Sequence, residues 1–363
     1  MHQFIPPHPA RQAQCQYFYG PAERPFLAPR GIFLHEDRLL VADTGQNRVF
    51  IWNQRPGGRH APADVVLGQL GRDATGRNAG GAATAATLHY PSGLWTDGQR
   101  LAIADAWNHR VLLWHTWPER DGQPADVILG QPDEASVAPN VEGVGAAPSA
   151  RSLYWPYGLW SDGQRLWVAD TGNRRVLVYS DWPHETMAAA DAVIGQPDFG
   201  AREYDPDHAI WPYSVKVGPG GQLAIADTQY YRVLLWHEAA TAPAQPADVI
   251  IGQPDFQSNG QNQYGLFPSA QTLNWCYDLG FQGEGLWVAD TGNSRLLWYP
   301  QIPDAHNPPA QGIMGPPDFV TGSENAASTL RTDEALYWPF HLSVAGKTLA
   351  VADTGNHRIV FFD

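Results

Sequence analysis

The chain has 363 residues, 43% of them hydrophobic, with 23 basic against 37 acidic side chains and a net charge of −14. That balance opposes binding to phosphate backbones or anionic membranes, and with only Lys216 and Lys347 as lysines no basic run supplies a local footprint, so nucleic acid and membrane are excluded as expected partners. No stretch is apolar for long enough to span a bilayer, the opening MHQFIPPHPARQAQ lacks the charged head and apolar run of a secretion signal, and Cys15 and Cys276 fall in strands too far apart to bridge; a cytoplasmic, reducing setting is expected.

Residues 1–13 read as an N-terminal extension, and 14–20, ending at Gly20, as a single strand. One phrase then recurs six times: LLVADTGQNRVFIW, LAIADAWNHRVLLW, LWVADTGNRRVLVY, LAIADTQYYRVLLW, LWVADTGNSRLLWY and LAVADTGNHRIVFF. Its Asp residues, Asp43, Asp105, Asp170, Asp227, Asp290 and Asp353, lie about sixty residues apart, a period that suits four strands. Each unit reads as a Pro-led strand such as PYGLWS, a turn such as DGQR, a second strand ending in Asp, the TGN turn, a third strand opening with Arg, and a short fourth strand ending in Gly. Those glycines are Gly68, Gly130, Gly195, Gly252 and Gly315, and the sixth copy sits at the other end of the chain as Gly20. The chain is therefore expected to be all-β, a single domain over 1–363 forming a six-bladed β-propeller of four-stranded antiparallel blades. Strand 14–20 would complete the C-terminal blade and remove the exposed sheet edge.

DTGNHRIV at 353–360, NHR again at 108–110 and the Pro-led strand start resemble the NHL repeat, over essentially the whole chain. The GQPDF blade ends resemble a bacterial branch of these repeats. The resemblance implies a propeller, and its family spans scaffolds, RNA binders and lyases. In the NHL-like amidating lyase, zinc is held by His residues directly after the strand-opening Pro. Here those positions hold Arg30, Ser92, Tyr157, Tyr213, Tyr277 and Phe340, so that site does not carry over.

Features shared by every unit read as scaffold. Asp170 and Arg175, like their five counterparts, bracket the tight turn and can pair across it. His109 and His357 occupy an ordinary position of the repeat phrase. Asp133, Asp198, Asp255 and Asp318 in GQPD cap the following turn.

Departures from the repeat read as candidate function, because sites are added to folds. Residues flanking the strand-opening Pro are aromatic in four successive units: Trp155 and Tyr157, Trp211 and Tyr213, Trp275 and Tyr277, Trp338 and Phe340. They pack between blades or form a stacking cage for a sugar, an aromatic ring or a cation. Trp107 replaces a turn Gly, and Gln229 and Tyr230 replace Gly-Asn, giving further exposed aromatics on the face that carries the long loops. Two positions after Pro the units read Gly31, Gly93, Gly158, then Ser214, Asp278 and His341. A hydrolytic triad fails on order, since Asp would stand between Ser and His. A divalent metal, zinc, iron or calcium, is a candidate cofactor if His89 joins Asp278 and His341, while Lys216 is placed to neutralise Asp278. Two functions follow. The first is a propeller that binds a small molecule or a protein on its loop-bearing face; the second is a metal-dependent lyase or hydrolase in the channel, with Tyr213 or Tyr277 assisting proton transfer.

Overall fold

The computed structural model describes residues 15–333 and 335–363. Within them, twenty-four strands form six four-stranded antiparallel sheets joined only by short 3-10 turns and loops, the architecture expected from the period. The innermost strands are Gly31–His35, Pro91–Thr96, Pro156–Ser161, Pro212–Val217, Cys276–Gln282 and Pro339–Ala345, and each packs beside the next around the ring, the last against the first. Blades are numbered 1 to 6 in that order.

Closure is as expected. Gln16–Phe18 pairs with Arg358–Phe362 in the register Tyr17↔Val360, completing blade 6, and Gly20 follows in a left-handed conformation at φ +84°. The extension 1–13 and residue 14 lie outside the described residues. Gly68 shows why this position is Gly: its φ is +93°, and an added Cβ would meet the Leu88 side chain at 2.6 Å. No disulfide joins Cys15 to Cys276.

The second and third strands of every blade are almost wholly buried, and their Val, Ile, Leu and Ala side chains fill the space between neighbouring sheets. Trp114, Trp167 and Trp236 are among the largest fully buried side chains. The six Asp–Arg pairs lie inside this core, Arg Nε to Asp Oδ2 at 2.6 to 3.0 Å. A buried pair holds only if its remaining donors and acceptors are matched. They are: each Asp Oδ1 accepts the backbone N–H of Leu27, His89, Tyr154, Trp211, Asn274 or Tyr337, just ahead of an innermost strand. Each guanidinium also donates to loop carbonyls, as Arg175 does to Phe199 and Ser152. The repeated pair thus fixes where each innermost strand enters the channel.

Successive blades are latched by a hydroxyl. Thr44, Thr171, Thr228, Thr291 and Thr354 each donate through Oγ1 to the carbonyl that opens the next innermost strand, that of Pro91, Pro212, Cys276, Pro339 or Pro29, at 2.5 to 2.7 Å. Blade 2 has Ala106 at this position, and there Trp107 Nε1 reaches Tyr157 Oη at 3.3 Å instead. The GQPD carboxylates cap their turns as expected: Asp133 Oδ1 accepts from the amides of Ala135 and Ser136.

Candidate functional site at the channel mouth

The end of the channel nearest the 3-10 turns is lined by two tiers of aromatic side chains. The upper tier precedes the strand-opening residue: Tyr90, Trp155, Trp211, Trp275 and Trp338. Four of these sit on left-handed backbone, Tyr90 at φ +60°, Trp155 at +51°, Trp275 at +47° and Trp338 at +50°. For so bulky a residue this conformation costs roughly 1–3 kcal/mol and persists only where its surroundings enforce it. Part of the enforcement comes from the preceding blade. Tyr90 N–H donates to Asn47 Oδ1 at 3.0 Å, Trp155 N–H to His109 Nδ1 at 3.1 Å, and Ala28 N–H, at the equivalent place in blade 1, to His357 Nδ1 at 3.0 Å. His109 and His357 are therefore acceptors that hold the mouth together. Burial pushes the His109 imidazole down to about 4, which keeps it neutral and able to accept.

The lower tier follows the strand-opening residue and closes across the channel. Tyr157 stacks on Tyr213 with centroids 4.5 Å apart, Tyr213 meets Tyr277 edge-on at 4.5 Å, and Tyr277 packs on Phe340 at 4.3 Å. Arg30 completes the belt, its guanidinium 3.9 Å from the Phe340 centroid and 5.3 Å from that of Tyr90. From the sequence, Arg30 is named only as the residue after its Pro and Tyr90 is left out. The signal for both was there, since they occupy in blades 1 and 2 the places held by aromatics elsewhere. A belt cation supplied by the chain itself fills the place a cationic ligand would take. Burial pushes the phenols of Tyr157, Tyr213 and Tyr277 upward, so they remain protonated at neutral pH. The Tyr213 hydroxyl is buried next to Arg30 and Ser92, which favour its ionised form but are outweighed by burial.

Tyr213 and Phe340 of the lower tier are buried, Tyr157 and Tyr277 with Tyr90, Trp155 and Trp211 are half-buried, and Trp275 and Trp338 of the upper tier, with Trp107 on the turn beside it, are 42%, 39% and 45% exposed. Trp107 lies flat on Tyr90, with centroids 4.6 Å apart and an interplanar angle of 10°. Tyr230 departs from expectation: it is only 5% exposed, its hydroxyl meets that of Tyr204 and its ring packs under the Arg232 guanidinium. The exposed ring there is that of Tyr204, which belongs to the loop before blade 4.

Below the belt lies the buried polar cluster. Ser214 Oγ donates to Asp278 Oδ1 at 2.5 Å, Leu342 N–H donates to Oδ2 at 2.9 Å, and Lys216 Nζ stands 3.5 Å from Oδ1. His341 Nδ1 lies 3.2 Å from Asp278 Oδ2 and 3.4 Å from the Ile32 amide nitrogen. Burial pushes this imidazole down to about 4, with Lys216 adding to the effect and Asp278 opposing it. Asp stands between Ser and His, so the order required of a triad is absent. His89 is elsewhere, ahead of its strand, with its backbone bonded to Asp105 and its ring edge-on to Trp107. Among the described residues no three His, Cys, Asp or Glu side chains converge as a metal-holding group, so His89, Asp278 and His341 do not form one.

No protein-family model matches the chain, and no curated protein matches it in sequence. Among solved structures it is similar to a protein of unknown function from Bacteroides thetaiotaomicron, at 10% identity and a TM-score of 0.52 over 96% of this chain and 74% of that one. Hydrazine synthase of Kuenenia stuttgartiensis matches at 13% identity and a TM-score of 0.49, over 93% of this chain and 95% of that one. Virginiamycin B lyase of Staphylococcus aureus matches at 12% and 0.46, over 96% and 98%. At such identities the likeness is one of fold, and the fold is a six-bladed β-propeller.

Proposed function

We propose that the chain is an NHL-type binding propeller whose loop-bearing face takes a ring-shaped, uncharged ligand, a saccharide or a planar heterocycle, on the indoles of Trp107, Trp275 and Trp338. One observation carries this reading: the indoles of Trp275 and Trp338, on neighbouring blades, are about two-fifths exposed at the channel mouth. Exposure of large indoles is not needed for packing, and exposed apolar surface of this kind marks binding sites. Indoles offer a large apolar face with a polar edge, which suits stacking on a ring. The Arg30 guanidinium within the belt disfavours a cationic ligand.

The test is selective indole oxidation read by mass spectrometry, with and without soluble gluco-, xylo- and chito-oligosaccharides and uncharged planar heterocycles. At least one compound should protect Trp275 and Trp338 from oxidation. Protection by none of them, or protection confined to other tryptophans, would overturn the reading.

A further inference from the structure

A second cavity lies at the opposite end of the channel, among the far ends of the innermost strands. Side chains two and four places after the strand opening share one face of the strand. In blades 1 to 3 the pairs are Gly31 with Phe33, Gly93 with Trp95 and Gly158 with Trp160; in blades 4 to 6 they are Ser214 with Lys216, Asp278 with Gly280 and His341 with Ser343. Where the upper place is filled in blades 5 and 6, the lower one is small. Beside Ser343 at this end lies a cavity of about 630 Å³, walled by Phe33, Trp160, Leu279, Phe281 and Leu342; Gly280 lines it through its backbone, since a Cβ there would meet Leu342 Cδ1 at 2.4 Å. A volume of that size with apolar walls and few polar groups is typical of a small-molecule site.

Its polar floor is Lys216 and Ser343. Lys216 is 5% exposed and carries three donor hydrogens. Its ammonium faces Asp278 at 3.5 Å and the Trp160 ring at 5.2 Å, and it makes no hydrogen bond among the described residues. Ser343 Oγ accepts the Leu34 amide at 2.9 Å, which leaves its own proton to donate. At the rim Arg165 is tied to Asp162 at 2.8 Å, so the formal charges around the site cancel. Two buried donors in a neutral, aromatic-walled cavity call for an uncharged molecule with an acceptor oxygen, because a second carboxylate would sit beside Asp278.

We propose that this cavity is a second binding site, distinct from the mouth, for an uncharged aromatic carbonyl compound whose oxygen is held by Lys216 Nζ and Ser343 Oγ. Nothing in it depends on what the mouth binds.

Benzophenone tests this directly, since irradiation inserts its carbonyl carbon into nearby C–H bonds and peptide mass spectrometry locates the adduct. Adducts are expected within residues 279–283 and 342–346, suppressed by unlabelled acetophenone and weakened about tenfold in Lys216→Met, the effect of losing a charged donor. Val344→Trp, which narrows the cavity and leaves Lys216 with Asp278, should abolish labelling in a fully folded protein. Labelling at the mouth or scattered over the surface would overturn the site, and labelling unchanged in a folded Val344→Trp protein would do the same. Competition by diphenylmethane equal to that by acetophenone would overturn the role of the carbonyl oxygen.

Discussion

The two halves of the channel wall solve the same packing problem in opposite ways. In blades 1 to 3 the innermost strands approach backbone to backbone: a Cβ at Gly31 would lie 2.0 Å from the Ser92 carbonyl oxygen, and one at Gly158 2.4 Å from that of Tyr213. In blades 4 to 6 side chains bridge the strands, Ser214 to Asp278, Asp278 to Leu342 and His341, and His341 to Ile32. The side chains that resemble catalytic machinery in the sequence are thus the ones that bridge neighbouring innermost strands. Chemistry-bearing residue types on repeated strands are not by themselves a site.

The contrast can be broken most severely at Asp278. Asp278→Ala removes the acceptor shared by Ser214, Lys216 and Leu342 and leaves a buried cation, so urea unfolding should show a loss of roughly 3–5 kcal/mol. On the glycine half, Gly31→Ala sets a methyl against backbone that cannot turn aside and should lose roughly 3 kcal/mol, while Ser214→Ala on the other half should lose no more than about 1–3 kcal/mol. Equal losses in Gly31→Ala and Ser214→Ala would erase the distinction between the halves.

His341 sharpens the comparison through pH. Its folded-state pKa is depressed to about 4, so the unfolded chain binds the extra proton between about 6.5 and 4. The stability of the neutral ring is complete above that window and is lost as pH falls through it. Wild-type stability measured against His341→Asn should accordingly decline from pH 6.5 to pH 4, by on the order of 1–3 kcal/mol. A gap independent of pH would mean that the imidazole is not buried as a neutral group. The smallest expected effect concerns the latch missing from blade 2: Ala106→Thr should gain about 0.5–1.5 kcal/mol by bonding the Pro156 carbonyl, as its five counterparts do in their blades. Thermal unfolding would show no gain if Trp107 already does this work through Tyr157.

The fold was legible because the chain carries its own alignment. The Asp and Arg of each phrase, the blade-end glycines and the displaced copy at Gly20 state blade number, strand number and closure. The aromatic tiers were legible for the same reason. What the sequence concealed depends on volume and depth. Tyr230 stands where a turn Asn would, yet Tyr204, from a distant loop, covers it. His89 was placed with Asp278 by its nearness to a Pro, but it precedes the strand and so stays at the turn. The far cavity is formed by residues at the far ends of the innermost strands of several blades, and only packing shows that they enclose space.

The central claim is that the mouth binds while the polar cluster beneath it closes the ring. Intrinsic fluorescence titration with any compound that protects the indoles tests both parts, using wild type, Trp275→Ala with Trp338→Ala, and Asp278→Asn at a temperature where all are folded. The account predicts a saturable response in wild type and in Asp278→Asn, lost when both indoles are removed. A response that survives without the indoles, or disappears with Asp278 alone, would contradict it.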